Sequence, residues 1–367
     1  MRAVSDQTRE LIESAASLQG GGFQRTWVAD LMYDGARRLA NLLIEEPDLP
    51  WDAGSFVSGS GSVRIVWSDD QGTSMIPRVI GDWFSPFGAE LQIDCLIGAG
   101  VFTERVPMGR FVIEEVPDAV EANLLFQGVL VHPGESFTVR LRDRLVKTAR
   151  DEFAFPKKPP SNSAWQEAQW ITGLPVVQSV GDVVVPGSVT YEGPKEDALK
   201  AIFDVMEAWP HVTPEGILTG RPKAWPAPVG DITGVVSAPV SMTSERTYNA
   251  VVVEGKDAAG DPVYATADVA EGFLRVRNVD GSASPFGQKP YRYSSEFLTT
   301  HQQCADYATN LLARVSRIRG VTRRVVIPFN PLYEIGDVLR FDGGVVRVQQ
   351  VSHRETETEL VVEAPGD

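Results

Sequence analysis

Val325 to Ala364 reads VVIPFNPLYEIGDVLRFDGGVVRVQQVSHRETETELVVEA, short apolar runs parted by Asn330-Pro331, Gly336-Asp337 and Asp342-Gly343-Gly344. Such residues either fix φ or tolerate left-handed backbone, so the segment reads as a meander of strands. A weaker copy of the pattern, WFSPFGAELQIDCLIGAGVFTERVPMGRFVIEEVPDAVEANLLFQG, runs from Trp83 to Gly128. Phe84-Ser85-Pro86 stands beside Phe329-Asn330-Pro331, and Leu91-Gln92-Ile93 beside Val338-Leu339-Arg340-Phe341. Gly109 to Val116 likewise stands beside Gly344 to Val351. Each copy is expected to cross a polar turn into a closing strand, Leu124 to Phe126 or Leu360 to Val362. Two copies do not make a solenoid; they predict two homologous β-domains in one chain.

The rest of the chain is consistent with that reading. Its 367 residues exceed what one hydrophobic core usually supports, and its 25 prolines and 33 glycines are spread along the sequence rather than clustered. Many short strands with few helices are expected. Lys and Arg number 34 against 49 Asp and Glu, a formal net charge of -15 that would repel a phosphate backbone. Sequence-specific nucleic-acid binding is therefore not expected. Cys95 and Cys304 are the only cysteines, too few for a disulfide framework or a zinc site, and they suit a reducing compartment. The opening MRAVSDQTRELIESAASLQ lacks the apolar centre of a signal peptide, and no window approaches the ~20 apolar residues of a membrane span. The expectation is a soluble protein with no stable membrane insertion.

Taken in order, residues 5–18 predict an amphipathic helix with Leu11, Ile12, Ala15 and Leu18 on one side, expected to dock on a neighbour or fray before Gly20-Gly21-Gly22. Thr26 to Tyr33, the turn Asp34-Gly35 and Arg37 to Leu43 predict a hairpin. Pro47 to Ala53 reads as a connection, and Ser55 to Ser68 as a strand with Gly59-Ser60-Gly61 as a bulge. Phe137 to Leu145 reads as a further strand, and Phe155 to Ser163 marks a domain edge. A middle region follows, with a helix from Pro194 that presents Leu199, Ile202, Phe203 and Met206 on one face. Strands return at Tyr248 to Glu254, Val263 to Ala267 and Phe273 to Val276, with a turn at Ala258 to Asp261. A loop from Asp280 to Tyr293 comes next. The clearest helix signal has Thr300 as N-cap and Gln303 as its capping-box partner, and runs to about Arg319.

No arrangement of residues points to chemistry. His132, His211, His301 and His353 are far apart, with no metal-ligand spacing. Ser60 lacks the glycine that a nucleophile elbow needs two residues before it, and Ala250 stands where a phosphate loop ending at Lys256 needs its first glycine. Glu355, Glu357 and Glu359 alternate with threonines as the solvated face of a strand does. Trp165, Trp170, Trp209 and Trp225 could stack on a sugar, but burial in a core or interface is the favoured reading. Phe286, Tyr291 and Tyr293 sit in a loop with no fold signal of its own, and are the candidate interface residues. No catalytic, cofactor or metal-binding residue is assigned, and no cofactor is expected.

The order of these elements resembles the hub proteins at the tips of long phage tails and contractile injection machines, specifically minor tail proteins of actinobacterial phages. The residues that carry the resemblance are Phe84 to Leu91, Val106 to Phe111, Tyr248 to Val253, the helix from Thr299 to Arg314, and Asn330-Pro331 ahead of Ile335 to Val338. It implies a mainly β, α+β chain divided into a 1–22 arm, a first β-barrel hub domain at 23–150 and a mixed α/β middle domain at 151–230. A connecting region at 231–320 and a second barrel at 321–367, completed by strands of 231–320, follow. It further implies a homotrimer without catalytic residues, located at the tail tip or baseplate of a virion or of an injection particle. Its partners would be the tail tube or distal tail ring, a central spike or tip protein, and the tape-measure protein. The alternatives are a carbohydrate-binding adhesin and, last, a cell-wall glycan hydrolase.

Overall fold

The computed structural model describes the chain except residues 17–21, 68–73, 127–128, 243, 246, 258, 317–320 and 366–367, with backbone alone at 16, 121–126, 129–133, 242 and 321. Leu18, Gly20, Gly21, Ser68, Gly128, Ala258 and Arg319 thus lie outside the described residues. In chain order the first elements are α1 (Asp6–Ala16), β1 (Gln24–Tyr33), β2 (Ala36–Asp52), β3 (Ser60–Trp67), β4 (Glu90–Ala99), β5 (Phe102–Phe126) and β6 (Val129–Asp143). Next come α2 (Val146–Ala149), β7 (Glu152–Lys157), α3 (Ala164–Thr172), β8 (Tyr191–Pro194), α4 (Lys195–Val205), β9 (Ala208–Val212), β10 (Leu218–Pro222), β11 (Gly230–Asp231) and β12 (Val240–Met242). Then follow β13 (Ala250–Lys256), β14 (Pro262–Asp268), β15 (Pro290–Ser294), α5 (His301–Val315), β16 (Val321–Pro328), β17 (Val338–Phe341), β18 (Gly344–Arg354) and β19 (Glu357–Glu363). The chain is mainly β with a few helices.

Six strands close a hydrogen-bonded circuit in the order β1-β4-β5-β6-β3-β2, because β1 also pairs with β2. Their hairpin turns through Asp34 and Gly35 at φ 49° and 74°, the left-handed pair that a two-residue turn needs to match strand twist. In the second half of the chain β17-β18-β19-β16 repeats the order β4-β5-β6-β3, with each of those pairings antiparallel in both halves. The repetition extends to register. Glu90 faces Val112 and Ile113 N–H donates to Ala89 O, just as Val338 faces Arg347 and Val348 N–H donates to Asp337 O. A bulge between Ile113 and Glu115 answers one between Val348 and Gln350.

The second circuit closes differently. Where the first half uses a hairpin, the single segment 229–242 crosses from β17 to β16. Val229 N–H donates to Val338 O, Ile232 N–H to Arg340 O, and Val236 N–H to Val326 O. The halves are joined edge to edge, since β2 from Asp48 to Asp52 pairs with β18 from Arg354 to Gln350. One apolar core runs beneath both, from Trp27, Leu31 and Phe111 to Val325, Leu339 and Leu360.

Several expectations are corrected by this pairing. Pro47 to Asp52 is the far end of β2 rather than a connection. A shift of register between Glu45 and Asp48, with Glu46 at φ 51°, carries the strand past Pro47. Leu124 to Phe126 is no separate closing strand, because β5 runs through, and a second bulge between Glu115 and Asp118 absorbs Pro117 without a turn. The strand that answers β19 is β6. Pro194 is the N-cap of α4 instead of its first residue, and the expected strand from Ser55 starts at Ser60.

Two smaller cores flank the sheet. One gathers Trp165, Leu199, Ile202, Phe203 and Leu218 from α3, α4 and β10. The other packs α5 on β13 and β14 through Val251, Val253, Cys304, Ala308 and Leu311, with β15 parallel to β13. Thr300 caps α5 as expected: its hydroxyl accepts from Gln303 N–H at 3.2 Å, and the Gln303 side chain accepts from Thr300 N–H at 3.1 Å.

Candidate functional site

Of the three expected interface residues, two lie on a strand and one in the turn before it. Tyr291 and Tyr293 are on β15, half-buried against the α5 core. Tyr248 meets Tyr291 edge to face, and Tyr293 stacks on Tyr307 at 4.6 Å. Phe286 remains in the preceding turn, also half-buried. Exposed aromatics on loops include Phe273 after β14, and Trp83 and Phe87, which lie with Val79 and Ile80 in the stretch before β4. The Asp82 carboxylate accepts from the Arg78 and Val79 N–H groups and holds the start of that stretch in a turn. Its sequence signal was the unperiodic apolar run between Val79 and Phe87, which the landmark Phe84-Ser85-Pro86 obscured.

A buried polar cluster lies where the N-terminal arm, the middle region and the second half meet. α1 does not fray: Ile12 is in the main core, and Arg2 ahead of it is buried. The Arg2 guanidinium donates to Pro331 O and to Met108 O, bridging the two halves, and Arg2 N–H donates to Leu332 O. Asp337 binds the Met1 ammonium, and Glu334 accepts from Arg221 at 3.0 Å. Burial pushes the Glu334 carboxyl up, but Arg2 and Arg221 override it and hold it at about 2. Burial, reinforced by Arg221, drives His211 down to about 3, and burial with Arg2 drives His353 down as well. The His211 ring lies between Trp51 and Trp209, at 6.1 and 5.9 Å, with both nitrogens buried and without a hydrogen-bond partner.

A cleft of about 380 Å³ opens beside this cluster, lined by Arg2, Ser179, His211, Glu215, Arg221 and Glu334. Neither Glu334 nor His211 changes charge near neutral pH, so neither is tuned as a general acid or base there. Among the described residues no three His, Cys, Asp or Glu side chains gather as a metal site. Asp143, which burial pushes up to about 6, is held by Gly59 N–H, Leu145 N–H and the Ser58 hydroxyl, and so pins the start of β3 to the end of β6. No described helix is long and apolar enough to cross a membrane.

Several strand edges stay open among the described residues, those of β14 and β15 among them, and the following two belong to the large sheet. Strand β12 pairs with β16 on one side only, and β5 beyond Ile113 pairs with β6 on one side only. Val240 and Val236 are 60% and 72% exposed along the first edge, and Glu115, Pro117, Asp118 and Ala119 are exposed along the second.

The fold has solved counterparts. A tail protein from Neisseria meningitidis MC58 superposes with a TM-score of 0.57 at 12% identity, over 92% of this chain and 96% of that one. The 43 kDa tail protein of prophage MuSo2 from Shewanella oneidensis superposes with a TM-score of 0.53 at 14% identity, over 92% and 98%. The chain has the fold of these tail proteins over nearly its whole length. No family model matches the sequence, and no curated protein does.

Proposed function

We propose that the protein is a structural component of a phage tail or tail-derived injection machine, a hub that forms a homotrimeric ring at the tip or baseplate. In this reading the two circuits are the two related barrel domains, 23–150 and 321–367 completed from 231–320, with 151–230 as the middle domain and 1–22 as the arm. The observation that carries it is the repeated strand order, β4-β5-β6-β3 and β17-β18-β19-β16, with matching register and bulge. A chain with two similar units gives a ring of three chains six similar positions, which suits a six-fold tube above it and a three-fold spike or tip below. The whole-chain likeness to two tail proteins supports the same reading by analogy of fold. Its partners are then the tail tube or distal tail ring, the central spike or tip protein and the tape-measure protein. No catalytic step is assigned to it.

Electron microscopy of particles carrying a labelled copy of the chain tests this, together with the mass of the purified protein. Three copies at the tail tip are expected. Two-fold or four-fold copies, or absence from particles, would overturn the hub.

A further inference from the structure

The joint between the halves is built from one stretch of each. In the first half it is the end of β2, with Val351 facing Trp51, Ser352 facing Pro50 and His353 facing Leu49. The Ser352 hydroxyl donates to Asp48 at 3.0 Å, and Arg354 pairs with the same carboxylate. Leu49, Trp51, Val351 and His353 are all buried there.

Each stretch has a counterpart in the other half, identified by register. Val63 on β3 faces Val139 on β6 as Val325 on β16 faces Leu360 on β19. Stepping along β3 from Val63 and along β16 from Val325 brings Gly59 beside Val321; Trp51 bridges to Gly59, and Met242 faces Val321. Residues 240–242 therefore stand where 49–51 stand. The shared bulge aligns Glu115 with Gln350, so β5 from about 115 to 119 stands where β18 docks onto β2. These two counterparts are the two one-sided edges of the large sheet described above, among the described residues. They cannot meet within one chain, because the first half already uses β2 and the second half already uses β18 for the single joint.

We propose that residues 240–242 of one copy pair with residues 115–119 of the next, reproducing the β2–β18 joint across the chain boundary. The inference rests on the proposed ring and names its contact. The contact is heterologous, with one surface on each half, so it propagates head to tail and closes into a ring of alternating halves. An open strand edge is a template for another chain's backbone. Pro117 and the flanking Glu115 and Asp118 restrict that template, which fits an edge kept for one partner. A covered counterpart in the same molecule supplies the geometry of the contact, and the joint between halves shows that this sheet accepts it.

The test is covalent capture in the full chain carrying Ser241→Cys and Asp118→Cys together. A short bifunctional thiol reagent allows for the extra bulge at Pro117, and native Cys95 and Cys304 are buried. The expected result on a denaturing gel is a ladder ending at the ring, absent from either single variant. Val240→Glu is expected to abolish both the ladder and the oligomer while leaving Tm unchanged. An oligomer that forms without the ladder overturns this contact and leaves the hub standing. A ladder from Ser241→Cys alone also overturns it, since the edges would then meet like to like. A chain that stays monomeric at its highest soluble concentration and enters no particle overturns the contact and the hub together.

Discussion

The two halves of the large sheet share a strand order, a register and a bulge, yet one closes with a long hairpin and the other with a single thin segment. In the first half β1 and β2 form ladders along both neighbours, and β2 has length to spare for the joint. In the second, segment 229–242 makes short contacts with β17 and then β16 and leaves an edge uncovered. The same scaffold can therefore be completed generously or minimally. The generous completion supplies the joint within the chain, and the minimal one leaves surface for another contact.

The sharpest way to break that comparison is to truncate equivalent residues. Leu49 in β2 is fully buried, whereas Val240, its counterpart in β12, is mostly exposed. Leu49→Ala is expected to cost about 2–5 kcal/mol of unfolding free energy, and Val240→Ala less than about 0.5, by denaturant titration. Equal costs would mean that the two positions are packed alike, and that the edge at Val240 is covered in solution.

A second difference is acid sensitivity, which concentrates where the N-terminal arm docks on the second half. Folded His211 refuses a proton down to about pH 3, while the unfolded chain takes one up near 6.5. Stability is therefore present above 6.5 and falls as pH drops toward 3. Asp143 in the first half opposes this: its folded carboxyl sits near 6, so its contribution is present below 3.8 and lost as pH rises through 6. Between pH 7 and 5 the His211 loss is about 2 kcal/mol. His211→Leu should flatten the parent's pH dependence by that amount, and an unchanged slope would place the acid response elsewhere.

Smaller effects than at Leu49 are expected at two turns of like sequence, although they join strands that are not counterparts. Gly35 and Gly343 each follow an aspartate in left-handed backbone, with open space around the missing Cβ. Alanine at either is expected to cost about 1 kcal/mol through backbone strain alone. Unequal costs would show that one hairpin carries more of its half than the other. Tyr293→Ser, outside both halves, should lower Tm by removing the stack on Tyr307.

What was legible in the sequence was local. Asp34-Gly35 and Asp342-Gly343 announce their turns, Thr300 with Gln303 announces a helix start, and the ordered landmarks expose the repeat. What was not legible depends on distant partners. The end of β2 reads as a linker because Pro47 and Pro50 discourage a ladder, and its longest ladder is with β18, far along the chain. The arm reads as a helix that docks on a neighbour or frays, with no docking place named, because nothing near it reveals that Arg2 meets Pro331 and Met108. The 280–293 loop reads as free because the parallel pairing of β15 with β13 reaches back across it.

That long reach sets a clock on biosynthesis. The end of β2 and the side chain of Arg2 are made early, and one partner of each, β18 and Pro331, follows hundreds of residues later. At roughly 5–20 residues per second, the ~300 residues between Asp52 and Gln350 take about 15–60 s to emerge. Throughout that interval the nascent first half holds a strand end with one edge unpaired and a guanidinium lacking its bond to Pro331. A ribosome that stalls before β18 releases a polypeptide still displaying both, recognisable to chaperones and proteases as unfinished.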